Sequence, residues 1–180
     1  MTQPDFAQLY DQHIERIYRY LLARTGSVEE AEDLAAETFR AALESVEHFT
    51  PGPDAGAGLA WLIGIARHKL ADHHRRGQRR LALQAALLHQ PDPALADAEA
   101  LAFDRLELAQ VAAALRRLNP ERAEALALHY FGELKLAEVG RAMGKSEEAA
   151  KKLVQRGLSE LRQQLAAAPG APLAAKGAAR

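Results

Sequence analysis

Apolar positions recur along most of this chain at three- and four-residue intervals, the spacing of helices with one buried face. Phe6, Leu9, Tyr10, His13, Ile14, Ile17, Tyr20 and Leu21 predict a first helix over Asp5–Ala23, ended by Gly26. Ser27 and Glu30 have the spacing of a capping box and predict the start of a second helix. Its inward positions are Ala31, Leu34, Ala35, Ala42, Leu43 and Val46, and its outward stripe is Asp33, Glu37, Arg40 and Glu44. Thr50–Gly58 holds two prolines and three glycines and reads as a loop. A third helix follows over Leu59–Arg76, with Leu59, Leu62, Ile63, Ala66 and Leu70 facing inward and a basic second half.

Leu81–His89 could be helical, but the run Gln90-Pro91-Asp92-Pro93 breaks the pattern, and a linker is expected over Leu83–Leu95. A helix over Ala96–Leu118 comes next. Asn119-Pro120 then combines an N-cap with proline at the first helical position, predicting a helix to Phe131 that Gly132 stops. A short helix over Leu136–Met143, the turn residue Gly144, and a longer helix capped by Ser146 give the outline of a helix-turn-helix. The longer helix turns Ala150, Leu153, Leu158 and Leu161 inward. The Ala/Gly/Pro-rich tail, 166–180, has a disordered composition. The fold expected is all-α: two small helical domains, 1–82 and 96–165, joined by a flexible linker at 83–95.

Composition supports this, because Ala, Leu, Glu and Arg are strong helix formers. The absence of cysteine excludes disulfides and Cys-ligated zinc. No run approaches the roughly 20 apolar residues of a membrane span, and no basic-then-apolar leader opens the chain. A cytoplasmic protein without membrane insertion is expected. The net charge of −1 conceals a polarised chain. Residues 1–50 hold ten acidic side chains and four arginines, whereas residues 67–80 hold six Lys/Arg and one Asp. An acidic partner face and a basic one can therefore coexist.

The second helix of a helix-turn-helix can lie in the major groove with its N-terminal half against base edges. Here that half carries Lys145, Ser146, Lys151, Lys152 and Gln155, with Arg141, Arg156 and Arg162 suited to phosphates. Glu147 and Glu148 repel phosphate but also stabilise the helix dipole. The basic stretch Arg67–Arg80 is a second candidate contact. Trp61, Phe49 and Tyr20 could each stack on an unpaired base, but core packing is the favoured reading of each. His68, Asp72, His73 and His74 cluster within two turns, but a metal site needs further ligands and supporting groups that the sequence does not supply. No phosphate loop or nucleophile motif is present, so neither enzyme activity nor a cofactor is expected.

Ala31–Phe39 (AEDLAAETF), Trp61–Arg67 (WLIGIAR) and Leu118–Arg122 (LNPER) follow one another in this order, and as a set they resemble motifs of the extracytoplasmic-function (ECF) subfamily of sigma-70 RNA polymerase sigma factors. Ala31–Phe39, AEDLAAETF, is similar to the AEDLxQExF signature of region 2. Trp61–Arg67, WLIGIAR, followed by Asp72 and Arg75-Arg76, resembles WLxxIARNxxxDxxRR. Leu118–Arg122 resembles the LPxxxR opening of region 4, and Ala137–Gly140, Met143-Gly144 and Arg156-Gly157 resemble its helix-turn-helix. The resemblance implies a promoter-recognition subunit that docks on the clamp helices of the largest polymerase subunit through Asp33, Glu37 and Arg40, and that also meets the flap. It implies engagement of the −10 element through Phe49, Trp61, Arg67, His68, Lys69, Arg75 and Arg76. It implies −35 reading through Arg141, Lys145, Ser146, Lys151, Lys152, Gln155 and Arg156, and control by an anti-sigma factor. A stand-alone helix-turn-helix regulator, or an interaction protein that has lost DNA reading, are the rival readings. Departures fall at His68 (usually Asn), at Glu148-Ala149-Ala150 (commonly Gly-Thr-Val), and at Gly140 and Gly157 (usually Ala). Glycine within a helix costs about 1 kcal/mol relative to alanine, which predicts a C-terminal domain of modest stability.

Overall fold

The computed structural model of the chain describes residues 3–49, 56–87 and 111–167. Helix α1 spans Gln3–Thr25, α2 Val28–Glu44 and α3 Ala57–Leu87, with a short 3-10 turn, Val46–His48, after α2. Helical residues 111–117 form α4. Helix α5, Pro120–Leu126, runs into a π-type turn, Ala127–Phe131, and is followed by α6, Leu136–Met143, and α7, Glu147–Ala167. The described residues contain no strand, and none of their helices is long and apolar enough to cross a membrane.

The helix boundaries follow local chemistry. Gly26 adopts φ 73° and closes α1 by donating its N–H to Leu22 O at 2.8 Å. Ser27 Oγ accepts from Glu30 N at 3.3 Å, but only half of the expected capping box forms. Ser27 N donates to Thr25 Oγ1, and the Glu30 carboxylate lies 3.5 Å from His73 Nε2. Asn119 Oδ1 accepts from Glu121 N at 3.0 Å with Pro120 at the first helical position, as expected. Ser146 Oγ caps α7 by accepting from Ala149 N at 3.2 Å.

Two expectations are corrected. Helix α3 continues past Arg76 to Leu87, because the intervening residues are helix formers and the lone Gly77 weakens a helix without breaking it. Residues 83–87 of the expected linker are therefore helical. The rest of that linker, loop residues 50–55, the expected helix before residue 111 and the tail beyond 167 lie outside the described residues. Leu43, expected inward, is 48% exposed. The buried stripe of α2 is Ala31, Leu34, Ala35, Thr38, Phe39 and Ala42, and Leu43 stands about 100° round the helix from Ala42. Thr38 is tolerated in the core because its hydroxyl donates to Leu34 O at 2.7 Å.

The core is continuous. Ile17, Tyr20, Leu21, Leu62 and Ile63 of the first three helices and Leu115, Leu126, Leu128 and Val139 of the later ones belong to one buried cluster. Burying each such Leu or Ile is worth about 1.5–3 kcal/mol. Gly140 and Gly157 also change meaning in three dimensions. A Cβ on Gly140 would sit 2.8 Å from Lys145 O, and one on Gly157 would sit 3.0 Å from Leu126 Cδ1. Their missing side chains let the turn settle on α6 and α7 settle on α5, gains in packing that offset the helix-propensity cost.

Candidate nucleic-acid interface

Helix α6, Gly144 and α7 form the helix-turn-helix. Gly144 adopts φ 67°, a left-handed conformation that glycine reaches without strain, and its N–H returns to Arg141 O at 3.2 Å. Ala150, Val154 and Gly157 form the buried side of α7. Lys151, Lys152, Gln155 and Arg156 are all exposed on the opposite side. At about 100° per residue they occupy roughly 140° of arc. Arg141 and Ser146 are exposed near the start of this face, although the Ser146 hydroxyl is engaged as the cap. Lys145 is half-buried and pairs with Glu121 at 2.9 Å. Glu148 sits within the basic face, 3.7 Å from Lys152.

The second basic element is the far half of α3, where Arg75, Arg76, Arg79 and Arg80 are exposed. Asp72, Arg75, Arg76 and Arg79 line a shallow depression. Arg75 is hydrogen-bonded to Asp72, and that bond, with the nearby His68, holds the Asp72 carboxyl below its ordinary range. His68 is exposed and lies 3.5 Å from Asp72. Its neighbours His73 and His74 make an edge-to-face ring contact, and no group of three or more His, Cys, Asp or Glu among the described residues is placed to hold a metal.

The other sites expected from sequence lie on α2, on α3 and at the turn between them. Asp33 and Arg40 are exposed on α2. Glu37 turns towards α3, where its carboxylate lies 3.8 Å from Lys69 Nζ and 4.0 Å from Arg76 Nη2. The acidic stripe and the basic helix thus share an edge. Phe49 and Trp61 stack on one another, with ring centroids 4.3 Å apart and planes at 21°. Tyr20 is core, the reading favoured for it from sequence: it is fully buried and its hydroxyl donates to Glu124 Oε1 at 2.9 Å. Burial and the adjacent Glu124 carboxylate push its phenol well above the ordinary range.

Arg67 is half-buried and points at the C-terminal helices. Its Nε donates to Glu124 Oε1 at 2.8 Å, and its Nη1 is bonded to the Ala142 carbonyl. Arg24 Nε lies 3.1 Å from Glu124 Oε2. Sequence reasoning missed Glu124. A signal existed, because the acid interrupts the buried positions Ala123, Ala125 and Leu126, but its partners are set only by tertiary packing. A cleft lined in part by Tyr20, Arg24, Arg67, His74 and Glu124 marks the place.

Comparison with known proteins places this geometry in a family. Residues 9–80 match the model of Sigma-70 region 2, and residues 108–161 that of Sigma-70, region 4. The ECF RNA polymerase sigma factor BldN of Streptomyces coelicolor is 38% identical over 157 residues, which cover 87% of this chain and 58% of BldN. The chain therefore spans less than two thirds of that relative's length. The ECF RNA polymerase sigma factor SigD of Mycobacterium tuberculosis is 31% identical over 157 residues, covering 84% of this chain and 73% of SigD. Among solved structures, the sigma factor RpoE in complex with the anti-sigma factor NepR, from Bartonella quintana, has a TM-score of 0.70 at 21% identity over 91% of this chain and 98% of that one, a likeness of fold. With both regions present in order and SigD matched over most of its length, the chain belongs to the ECF RNA polymerase sigma factors.

Proposed function

We propose that this protein binds core RNA polymerase and directs it to promoters, recognising and helping to melt DNA without a catalytic step of its own. The observation that carries this reading is the helix-turn-helix whose second helix presents Lys151, Lys152, Gln155 and Arg156 to solvent on one face. Lys can donate to guanine and Gln can pair bidentately with adenine, while Arg156 suits the backbone. In this reading, residues 96–165 read the −35 element, with Arg141, Lys145 and Ser146 flanking the contact. Residues 1–82 hold the −10 element through Phe49, Trp61, Arg67, His68, Lys69, Arg75 and Arg76, and residues 83–95 join the two. Base stacking at Phe49 and Trp61 then requires their mutual stack to open. The polymerase clamp helices meet α2 at Asp33 and Arg40, with Glu37 at the edge shared with α3, and the flap meets the C-terminal helices. The protein acts in the cytoplasm, where polymerase and promoter DNA are found.

An anti-sigma factor is a further proposed partner. The reading is supported by RpoE, a protein of similar fold, having been solved with NepR. The docking face is tested by reversing charge at Asp33, an exposed position whose replacement leaves the core of α2 intact. Retention of the Asp33→Lys protein by immobilised core polymerase is expected to fall about tenfold, with the helical circular dichroism unchanged. Equal retention of variant and parent removes α2 from the docking surface.

A further inference from the structure

Helix α3 leaves the core after Leu70: among residues 71–80 none is buried. Side chains on this stretch are therefore placed by one another rather than by packing, and Asp72 is the group that joins them. Its Oδ1 accepts from Arg75 Nη2, its Oδ2 lies 3.5 Å from His68 Nε2, and its backbone carbonyl accepts from Arg76 Nε at 3.4 Å. Both carboxylate oxygens are thus committed, one to the turn before and one to the turn after. At about 100° per residue, positions 68, 72, 75, 76 and 79 fall within roughly 100° of arc, so they share one face.

Depth on that face separates the acid from its partners. The Asp72 side chain is 35% exposed, against 73% for His68, 58% for Arg75 and 63% for Arg76. Asp72 lies on the floor of the depression, and the imidazole and guanidinium groups stand above it. An approaching strand meets those groups first. The Arg75 bond, and after it the charge of His68, hold the Asp72 carboxyl below its ordinary range, so it stays ionised in neutral solution. A carboxylate in a DNA-facing surface repels phosphate, and without a compensating role it would only weaken binding. The compensation is order. Long side chains lose rotamer freedom when they bind, and a carboxylate that already fixes Arg75 removes part of that loss. Most of the His68 ring is left free, and an imidazole face or a guanidinium plane can stack on an unpaired base.

We propose that Asp72 is a positioning residue that presents His68 and Arg75, already ordered, to the unpaired strand of the −10 element. This rests on the promoter reading above and deepens it. The far half of α3 is then a platform with a set geometry for single-stranded DNA, rather than a diffuse patch of cations for duplex phosphates.

The sign of a charge-removing substitution separates positioning from repulsion. Holoenzyme assembled from core polymerase and the full-length chain is assayed for heparin-resistant open complexes on a promoter from which the parent initiates. Asp72→Ala makes the face more positive, so an acid that merely repels DNA predicts more open complex. Positioning predicts about tenfold less, because two side chains must be ordered on binding rather than beforehand. Asp72→Asn, whose amide oxygen still accepts from Arg75, should recover most of the loss. In a His68→Ala/Arg75→Ala background, the further change Asp72→Ala should have no effect. An Asp72→Ala open complex at or above the parental level overturns the proposal. So does an undiminished loss in the His68→Ala/Arg75→Ala background, which assigns Asp72 a structural part in α3 instead. On the free protein, NMR relaxation of the Arg75 Nε–H should show greater motion in Asp72→Ala than in the parent, and equal motion also overturns the proposal. That readout does not depend on transcription. A parent that opens no DNA while Asp72 still orders Arg75 therefore counts against the promoter reading itself.

Discussion

Replacing Gly140 with alanine tests whether the tight turn, rather than helix propensity, governs the C-terminal helices. On propensity alone the change should stabilise α6 by about 1 kcal/mol. The structure predicts the opposite. The new Cβ would stand 2.8 Å from Lys145 O and 3.1 Å from Ser146 C and O. These are backbone atoms, so no side-chain rotation makes room. The turn is also bonded to this residue, because Lys145 N donates to Gly140 O at 2.8 Å. Moving the turn disturbs the Ser146 cap, worth about 1 kcal/mol, and overpacking of this kind typically costs about 1–3 kcal/mol. A net destabilisation of about 1–2 kcal/mol is expected once the propensity gain is subtracted. Gly64 and Gly77 provide the control: both lie in α3, and a Cβ at either would meet no atom within 4 Å, so alanine there should stabilise by about 0.5–1 kcal/mol. Urea unfolding midpoints, with unchanged slope, read both effects. Equal stabilisation by Gly140→Ala and Gly64→Ala would refute the packing account.

Other consequences can be measured independently. Asn119→Ala should lower stability by about 1 kcal/mol through loss of the α5 cap, and an unchanged urea midpoint contradicts this. Folding holds His13 below its ordinary value of 6.5 through burial and then Arg16, and holds His74 below it through burial and then Arg24. The unfolded chain therefore binds these protons first, so their stabilising contribution is full above 6.5 and is lost as pH falls towards the lowered folded values. The His13→Gln/His74→Gln protein should lose less stability than the parent between about pH 8 and about pH 5; identical losses argue against this origin. Lys151→Ala/Lys152→Ala should weaken DNA binding and reduce the slope of log affinity against log salt by about 2 if both touch phosphate. A preserved slope with relaxed sequence preference would assign the two lysines to base edges.

The helices were legible because each needs only a local period and a local cap. Asn119-Pro120, Gly144 and Ser146 mark their boundaries by chemistry that acts within a few residues. The end of α3 was harder to read: its apolar period fades after Leu70, yet the helix formers that follow carry it to Leu87, and one exposed glycine, Gly77, costs too little to stop them. Leu43 shows the limit of hydrophobicity as a guide to burial: its character pointed inward, whereas its angular position on α2 leaves it exposed. The basic face of α7 could be read from spacing alone. The setting of Arg67, Glu37 and Tyr20 could not, because it depends on which helix packs opposite. Glu133 carries no sequence signal for its left-handed backbone, φ 55°, in the segment between the π-type turn and α6.

The most direct test of the proposed role is transcription of genomic DNA by core RNA polymerase with and without this protein, with RNA 5′ ends mapped. The account predicts new, discrete start sites that share upstream sequence elements and weaken when Lys151 and Lys152 are replaced by alanine. An unchanged set of start sites, with polymerase binding intact, would contradict promoter recognition by this chain.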